Sequence, residues 1–272
     1  MNTLAQVLAA ARQRIGASEA RLLLSHVLGR GSAWIEAHRE DSLTVDEVAR
    51  FTELVARRGE GEPVAYLLGT REFYGRDFIV DRDVLIPRPE TELLVDLARE
   101  KCISLTQPRI LDLGTGSGCI AITLALELHQ PCVSAVDASA AALRVARTNA
   151  QAMGAAVRFV EGHWMAPLAG ELFDLIVSNP PYVAAADPHL TRGDLRFEPA
   201  TALTGGEDGL CDIRQIVESA PDCLAPGGWL LIEHGYDQAP ALRALLADAG
   251  FREVGHWCDL AGIPRVSGGC RA

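Results

Sequence analysis

The 272-residue sequence lacks the patterns that would mark several common classes of protein. Its seven cysteines, Cys102, Cys119, Cys132, Cys211, Cys223, Cys258 and Cys270, form no CxxC pair and no metal-ligand spacing. An odd, scattered set suits thiols used as small core residues in a reducing compartment rather than a disulfide framework. The histidines are equally dispersed, with no HExxH helix and no Cys/His cluster, so neither a structural nor a catalytic metal is expected. No apolar stretch approaches the ~20 residues of a membrane span, Ile120 to Leu126 being among the longest. No secretory signal fits either, because no basic segment precedes an apolar run and no small-residue cleavage site follows one. The N-terminal stretch carrying Arg12 and Arg14 reads as an amphipathic helix, and the expectation is a cytoplasmic protein without a membrane partner. Basic charge is missing too: the formal net charge is −11, although residues 1–73 are nearly balanced with nine Arg against ten Asp and Glu. A duplex-binding enzyme usually carries a basic face for phosphates, so direct binding of nucleic acid is disfavoured.

What remains is a chain with 49% hydrophobic residues, long enough for one large domain and a small one. Residues 1–72 read as a helical module. Leu4, Val7, Leu8, Ala11 and Ile15 recur at helical spacing; a second helix is expected from an N-cap at Ser18 to Gly29, and a third opens on the capping box Thr44-Val-Asp-Glu47 and runs to Gly59. Residues 73–90 change to extended sequence punctuated by Gly75 and are read as a hairpin linker. Residues 91–272 alternate apolar strand candidates with helical segments: RILDL (109–113), CVSAV (132–136), AVRFV (156–160), FDLIVS (173–178) and WLLIE (229–233). Strands apolar on both faces and separated by helices predict an α/β fold with a parallel sheet covered on both sides.

Three constellations carry chemistry. RILDL runs into Gly114-Thr115-Gly116-Ser117-Gly118 and then straight into a helix, placing a tight glycine turn at the carboxyl end of a strand, where ligands of such sheets bind. The spacing is G-x-G-x-G rather than the dehydrogenase G-x-G-x-x-G, which suits a nucleoside ligand without phosphates; a purely structural turn would look the same in isolation. Asp137 ends the next strand, 19 residues beyond Gly118, where an acidic side chain can accept hydrogen bonds from two ribose hydroxyls or, more simply, start the turn into the following helix. Asn179-Pro180-Pro181-Tyr182 follows FDLIVS. An amide nitrogen is a poor nucleophile because its lone pair is delocalised, and an Asn oxygen with a proline-fixed carbonyl can accept its two N–H bonds and aim it. Trp164, after the third strand, could stack on an adenine or simply fill the core.

Together with PVAYLLGTREFYG (63–75), VLIPRPETELLV (84–95), RFEPATAL (196–203), GEDGL (206–210) and LLIEHG (230–235), these motifs resemble the release factor glutamine methyltransferase family, PrmC/HemK, over nearly the whole chain. The resemblance implies a class I S-adenosylmethionine-dependent methyltransferase, a Rossmann-like seven-stranded, mostly parallel sheet, preceded by a helical substrate-recognition domain. It implies that Gly114, Thr115, Gly116, Ser117 and Gly118 wrap S-adenosylmethionine, that Asp137 holds its ribose and that Trp164 contacts adenine. Asn179 and Pro180 would grip the substrate glutamine amide, with Pro181 and Tyr182 packed beside it. The product would be N5-methylglutamine in the Gly-Gly-Gln motif of peptide chain release factors, with S-adenosylhomocysteine left behind. Arg88, Glu90 and Thr91 would border the methionine end. His163 stands where many relatives carry Asp, which puts the expected contact with the adenine amino group in question. Rival readings are a methyltransferase acting on a ribosomal-protein glutamine, one acting on an exocyclic amine of a nucleic-acid base, and an inactive binding module; the IPRPETE segment, the acidic charge and the intact Asn179 to Tyr182 set argue against them in turn.

Overall fold

The computed structural model describes residues 2–272, which divide into two units. The first is helical and comprises α1 (Leu4–Ile15), α2 (Ala17–Leu28), α3 (Ser32–Ala37), α4 (Val45–Gly59) and α5 (Val64–Leu68). α1 and α4 begin alike: Thr3 and Thr44 each accept a backbone N–H from the residue three ahead, Gln6 and Glu47, whose side chains return the bond. Such a reciprocal cap satisfies two of the free donors at a helix start. α2 differs from the sequence expectation. Its N-cap is Gly16, with no side-chain cap, and Ser18 lies one residue inside the helix. α1 and α2 meet almost directly through Gly16, leaving no room for a longer linker. Leu4, Leu8, Leu23, Leu24, Ile35 and Phe51 form the buried centre of this unit. The turn Gly193–Phe197 clusters with it: Arg58, already paired with Glu19 at 2.7 Å, donates to Asp194 at 2.9 Å.

The second unit opens with a hairpin, β1 (Thr70–Phe73) and β2 (Arg76–Ile79), which turns at Tyr74-Gly75. Strand pairing is confined to these residues, and residues 80–88 run on without regular structure. Phe73 and Phe78 meet edge to face, centroids 6.0 Å apart, a contact worth about 0.5–1.5 kcal/mol beyond its buried area. Ile79 is gripped on both backbone groups by Asn149, Oδ1 accepting at 2.7 Å and Nδ2 donating at 3.0 Å. The unit continues through α6 (Glu92–Cys102), β3 (Arg109–Leu113), α7 (Cys119–Glu127), β4 (Cys132–Asp137), α8 (Ala140–Met153), β5 (Val157–Glu161), β6 (Phe173–Ser178), α9 (Cys211–Cys223), β7 (Leu224–Glu233), α10 (Ala239–Asp248), β8 (Arg252–Cys258) and β9 (Pro264–Cys270).

Seven strands form one sheet in the order β5-β4-β3-β6-β7-β9-β8, with β9 antiparallel to both its neighbours and the remaining pairs parallel. Two apolar clusters cover its faces. One packs Leu94, Val95 and Ile122 against Ile110, Leu175 and Leu231; the other packs Ile213, Ile216 and Leu242 against Leu111, Ile176 and Leu230. Alternate residues of each strand thus go to opposite sides, which is why the strands read as continuous apolar runs. β3 pairs with β4 on one side and β6 on the other, so the chain reverses direction across the sheet there, and the crevice beyond the carboxyl ends of these strands is where such folds bind ligands.

Candidate active site

At that crevice lies a cavity of about 570 Å³. Gly114 and Gly116 from the β3 loop, Asp137 from β4, Trp164 after β5, and Asn179 and Pro181 after β6 all line it. Four loops that are far apart in sequence are brought together because parallel strands end on the same edge.

The glycine loop and Asp137 are one hydrogen-bonded unit. Asp137 Oδ2 accepts from Gly116 N at 2.8 Å, and Oδ1 accepts from Ser139 N at 2.8 Å. Ser139 in turn caps α8 through Ala142 N. Asp137 therefore both starts the turn into α8 and faces the cavity; the two readings of this residue are not alternatives. Burial pushes its pKa up, against the lowering effect of the two backbone donors. Each carboxylate oxygen still has a free lone-pair direction for a hydroxyl. Gly118, at the N-cap of α7 with φ +83°, is not on the cavity wall. A Cβ there would stand 2.8 Å from Ile122 Cδ1 and 3.2 Å from Ala146 Cβ, so glycine is required for the approach of α8 to α7. Ser117 is likewise turned inward: its carbonyl accepts from Asn149 Nδ2 at 2.9 Å and its buried Oγ has no partner. Thr115 donates to Asp112 Oδ2 at 2.6 Å.

Asp112 was not anticipated. It is fully buried, its Oδ1 has no partner, and burial, aided by the charge of Asp137, pushes its pKa up to about 7. The cavity wall has an apolar share: Val84, Leu85, Val136, Ala142, Ala202 and Trp164 contribute to it. Trp164 is half-buried, packs against the cluster of Leu111 and Ile176, and holds a left-handed backbone at φ +47°; its buried indole N–H has no partner. His163 is exposed, stacks edge-on against Trp164 at 5.2 Å, and faces Asp212, whose pKa burial raises and the imidazole lowers. The Asp137 carboxylate, the apolar residues and the orphaned indole N–H of Trp164 at the wall fit an adenosyl group.

The Asn179–Tyr182 turn is braced from behind. Gln238 Nε2 donates to the Tyr182 carbonyl at 3.0 Å, Val183 N donates to Leu203 O at 2.9 Å, and Gly205 N donates to Val183 O at 3.0 Å. The glycines of the GGEDG segment make this approach possible. A Cβ on Gly205 would stand 2.4 Å from the Pro181 carbonyl and one on Gly209 2.3 Å from the Tyr182 carbonyl. Asn179 Nδ2 donates to Thr91 Oγ1 at 3.3 Å, which places the buried Thr91 at the site. Arg88 does not line the cavity; it pairs with buried Glu198, which also accepts from Ile86 N at 3.0 Å and so ties RFEPATAL to IPRPETE. Glu90 is exposed. Tyr182 is half-buried beside Glu233, and desolvation raises its pKa. Among the described residues, no three His, Cys, Asp or Glu side chains gather as a metal set, and no helix is long and apolar enough to cross a membrane.

Comparison with known proteins agrees with this architecture. The methyltransferase small domain family matches residues 89–200, and the PrmC N-terminal domain family matches residues 1–69. The release factor glutamine methyltransferase of Bordetella pertussis is 55% identical over 92% of this chain and 93% of its own. Those of Burkholderia pseudomallei and Escherichia coli are 50% and 43% identical, each covering at least 90% of both chains. The chain belongs to the release factor glutamine methyltransferase family. Among solved structures, a methyltransferase from Pyrococcus furiosus (17% identity, TM-score 0.56) covers 84% of this chain and 100% of its own. The T. thermophilus 16S rRNA methyltransferase RsmC, in complex with AdoMet and guanosine (18% identity, TM-score 0.54), covers 75% of this chain and 50% of its own. At such identities these likenesses show a class I methyltransferase fold and no more. Of the two motifs, Asn179 and Pro181 and the loop residues Gly114 and Gly116 line the same cavity, while Thr115, Ser117, Gly118, Pro180 and Tyr182 do not.

Proposed function

We propose that this release factor glutamine methyltransferase transfers the methyl group of S-adenosylmethionine to N5 of the glutamine in the Gly-Gly-Gln motif of peptide chain release factors, leaving S-adenosylhomocysteine. The observation that carries the reading is the Asn179–Tyr182 turn, held at the end of β6 on the wall of the cavity that Gly116 and Asp137 also line. The cofactor brings a methyl already activated by its bond to a positively charged sulfur, so the step calls for neither a metal nor a strong base. It calls for an aimed nitrogen. Asn179 Oδ1 and the Pro180 carbonyl accept the two N–H bonds of the substrate amide, fix its plane, and stabilise the positive charge that develops on nitrogen as the N–C bond forms and the S–C bond breaks, after which one N–H proton leaves to water. Tyr182 and Pro181 pack against the glutamine stem. Asp137 takes the ribose hydroxyls, Gly114 and Gly116 bound the methionine and ribose, and Trp164 covers the adenine. The helical unit of residues 1–70 recognises the protein substrate.

Methyl transfer from labelled cofactor to purified release factor tests this, with the motif glutamine changed as control and a ribosomal protein and a nucleic acid as competing substrates. Asn179→Ala should lower the single-turnover rate by ~10²–10³, the usual cost of one preorganised partner, while cofactor affinity changes far less. Asn179→Asp keeps an acceptor and should fall between Ala and wild type. A wild-type rate in the Ala variant would rule out Asn179 as the residue that positions the glutamine.

A further inference from the structure

One buried group at this site has no place in the scheme above. Glu233, the last residue of β7, is 1% exposed, and its Oε2 finds no hydrogen-bond partner. The register of β6 and β7 pairs Ser178 with Ile232, which sets Glu233 beside the point where Asn179 leaves its strand. Thr91 and Tyr182 bring the side-chain hydroxyls that act on the Glu233 carboxyl, and neither closes a hydrogen bond to Oε2. The charged and titratable groups facing it are Arg265 of β9 and Glu90 of the turn Pro89–Thr91, with the Cys119 thiol of α7 also within its field. A carboxyl kept in such a place costs stability that an apolar residue would not, which makes it a candidate for a functional role.

We infer that Glu233 is a positioning residue that acts through Thr91 to fix which end of the Asn179 side-chain amide is presented to the substrate. The inference rests on the function proposed above and deepens it. An Asn amide is nearly symmetric in shape but opposite in polarity at its two ends, so its direction is decided by the groups around it. A hydroxyl has one hydrogen to give. When Glu233 is ionised it can only accept, so a Thr91 hydroxyl turned toward it is the donor and is left to accept from Asn179, the direction of the 3.3 Å Nδ2 to Oγ1 contact. Oδ1 is then the end left for the glutamine N–H. When Glu233 is protonated it can donate to Thr91, whose hydrogen is released toward Asn179. The amide can then turn and present its NH2, a donor facing a donor, to the substrate. Burial places the Glu233 pKa at about 7, so the polarity of this chain can change in the neutral range.

The test is single-turnover methylation of purified release factor at saturating cofactor, across about pH 5.5–8.5, for wild type, Glu233→Gln and Thr91→Val, with calorimetric cofactor affinity measured for each. In the wild type the rate should rise with pH through a midpoint near 7, as Glu233 ionises. Glu233→Gln keeps the shape but no longer imposes a direction, and its rate should fall ~10–100-fold, by analogy with other groups that orient a contacting residue. Its profile should lose the midpoint near 7, and its cofactor affinity should stay at the wild-type value. Thr91→Val, which cuts the relay at the middle, should behave alike, and the double variant should be no worse than either single one. A wild-type rate in Glu233→Gln overturns the inference. So does a slowed variant that keeps the midpoint, because the titration would then belong to another group, such as Asp112. If Glu233→Gln does not fold, Thr91→Val decides by the same two criteria. An inactive wild type would overturn the functional reading and this inference with it, whereas an active wild type matched by Glu233→Gln overturns the inference alone.

Discussion

Replacing Asp137 by Ala separates the cofactor-binding role of this residue from its structural one. The side chain has four acceptor directions, and the backbone N–H groups of Gly116 and Ser139 occupy two of them, at 2.8 Å each. The remaining capacity is what two ribose hydroxyls would use. Hydrogen bonds to a charged acceptor are worth about 1.5–3 kcal/mol each, but here the acceptor is shared, so about 1.5–3 kcal/mol for the pair is the reasonable estimate. That is a loss of roughly 10–150-fold in affinity for S-adenosylmethionine. The effect on folding should be smaller. Gly116 N–H loses its acceptor, yet no protein atom lies within 4 Å of where a Cβ would project from Gly116, so water can reach the loop. Removing a carboxyl whose ionisation burial already disfavours offsets part of what is lost. Asp137→Asn keeps one acceptor while its amide NH2 opposes a backbone donor, and should fall between Ala and wild type. Titration calorimetry with cofactor, beside a thermal melt, reads both quantities. A folded Asp137→Ala protein that binds the cofactor with wild-type affinity would refute the assignment.

Three further outcomes are expected. Gly209→Ala puts a Cβ 2.3 Å from the Tyr182 carbonyl at φ +75°, so the Asn179–Tyr182 turn must shift; methylation should drop at least tenfold while calorimetric cofactor affinity holds, and an unimpaired rate would show that the turn tolerates the displacement. Asp112 and Glu233 each titrate near 7 when folded, against ordinary values of 3.8 and 4.5, so the folded chain holds the extra protons between. The stability they contribute is fully present below about pH 4 and lost as pH rises through about 7. Urea unfolding of Asp112→Asn should therefore fall less steeply from about pH 5 to pH 8 than that of the wild type, and parallel curves would contradict the argument. A chain beginning at Arg71 should keep cofactor binding and lose release-factor methylation chiefly through a higher KM. Methylation of full-length release factor at the parent rate would remove the helical unit from substrate recognition.

The parts of this fold that were legible from sequence are those where one physical signal dominates. Four of the sheet strands, β3, β4, β6 and β7, stand out because both faces are buried, which turns them into apolar runs, while the edge strand β5 is only half-buried and shows through Val157, Phe159 and Val160. β8 and β9 escaped that reading: REVGHWC is half-exposed along its length, and PRVSGGC carries two glycines and no apolar alternation. The short helices α3 and α5, of six and five residues, are too brief to show a period. The placement of Ser18 as a cap failed because Gly16 enters the helix at φ +82°, a backbone open to glycine, without a side-chain bond, and composition alone gives no sign of it.

The site follows a simpler rule than the motifs suggest. In a sheet whose parallel strands all deliver their carboxyl ends to one crevice, a polar residue that closes an otherwise apolar strand is placed at the site by topology. Asp137 closes CVSAVD, Asn179 follows FDLIVS, and Glu233 closes the run WLLIE. The first two were read as functional, because a nearby glycine loop or a proline pair drew attention to them. Glu233 met the same condition and passed as an ordinary strand end, since an acidic residue at a strand terminus is ordinarily solvated. Its 1% exposure reverses that assumption. The signal was present in the letters, but the meaning needed the pairing of Ser178 with Ile232, a fact of register that joins residues more than fifty positions apart. Gly205 and Gly209 teach the same lesson from the opposite side. Gly209 was visible within GEDGL and Gly205 was not singled out, yet the reason for both, the carbonyls of Pro181 and Tyr182, exists only once the two loops are folded against each other.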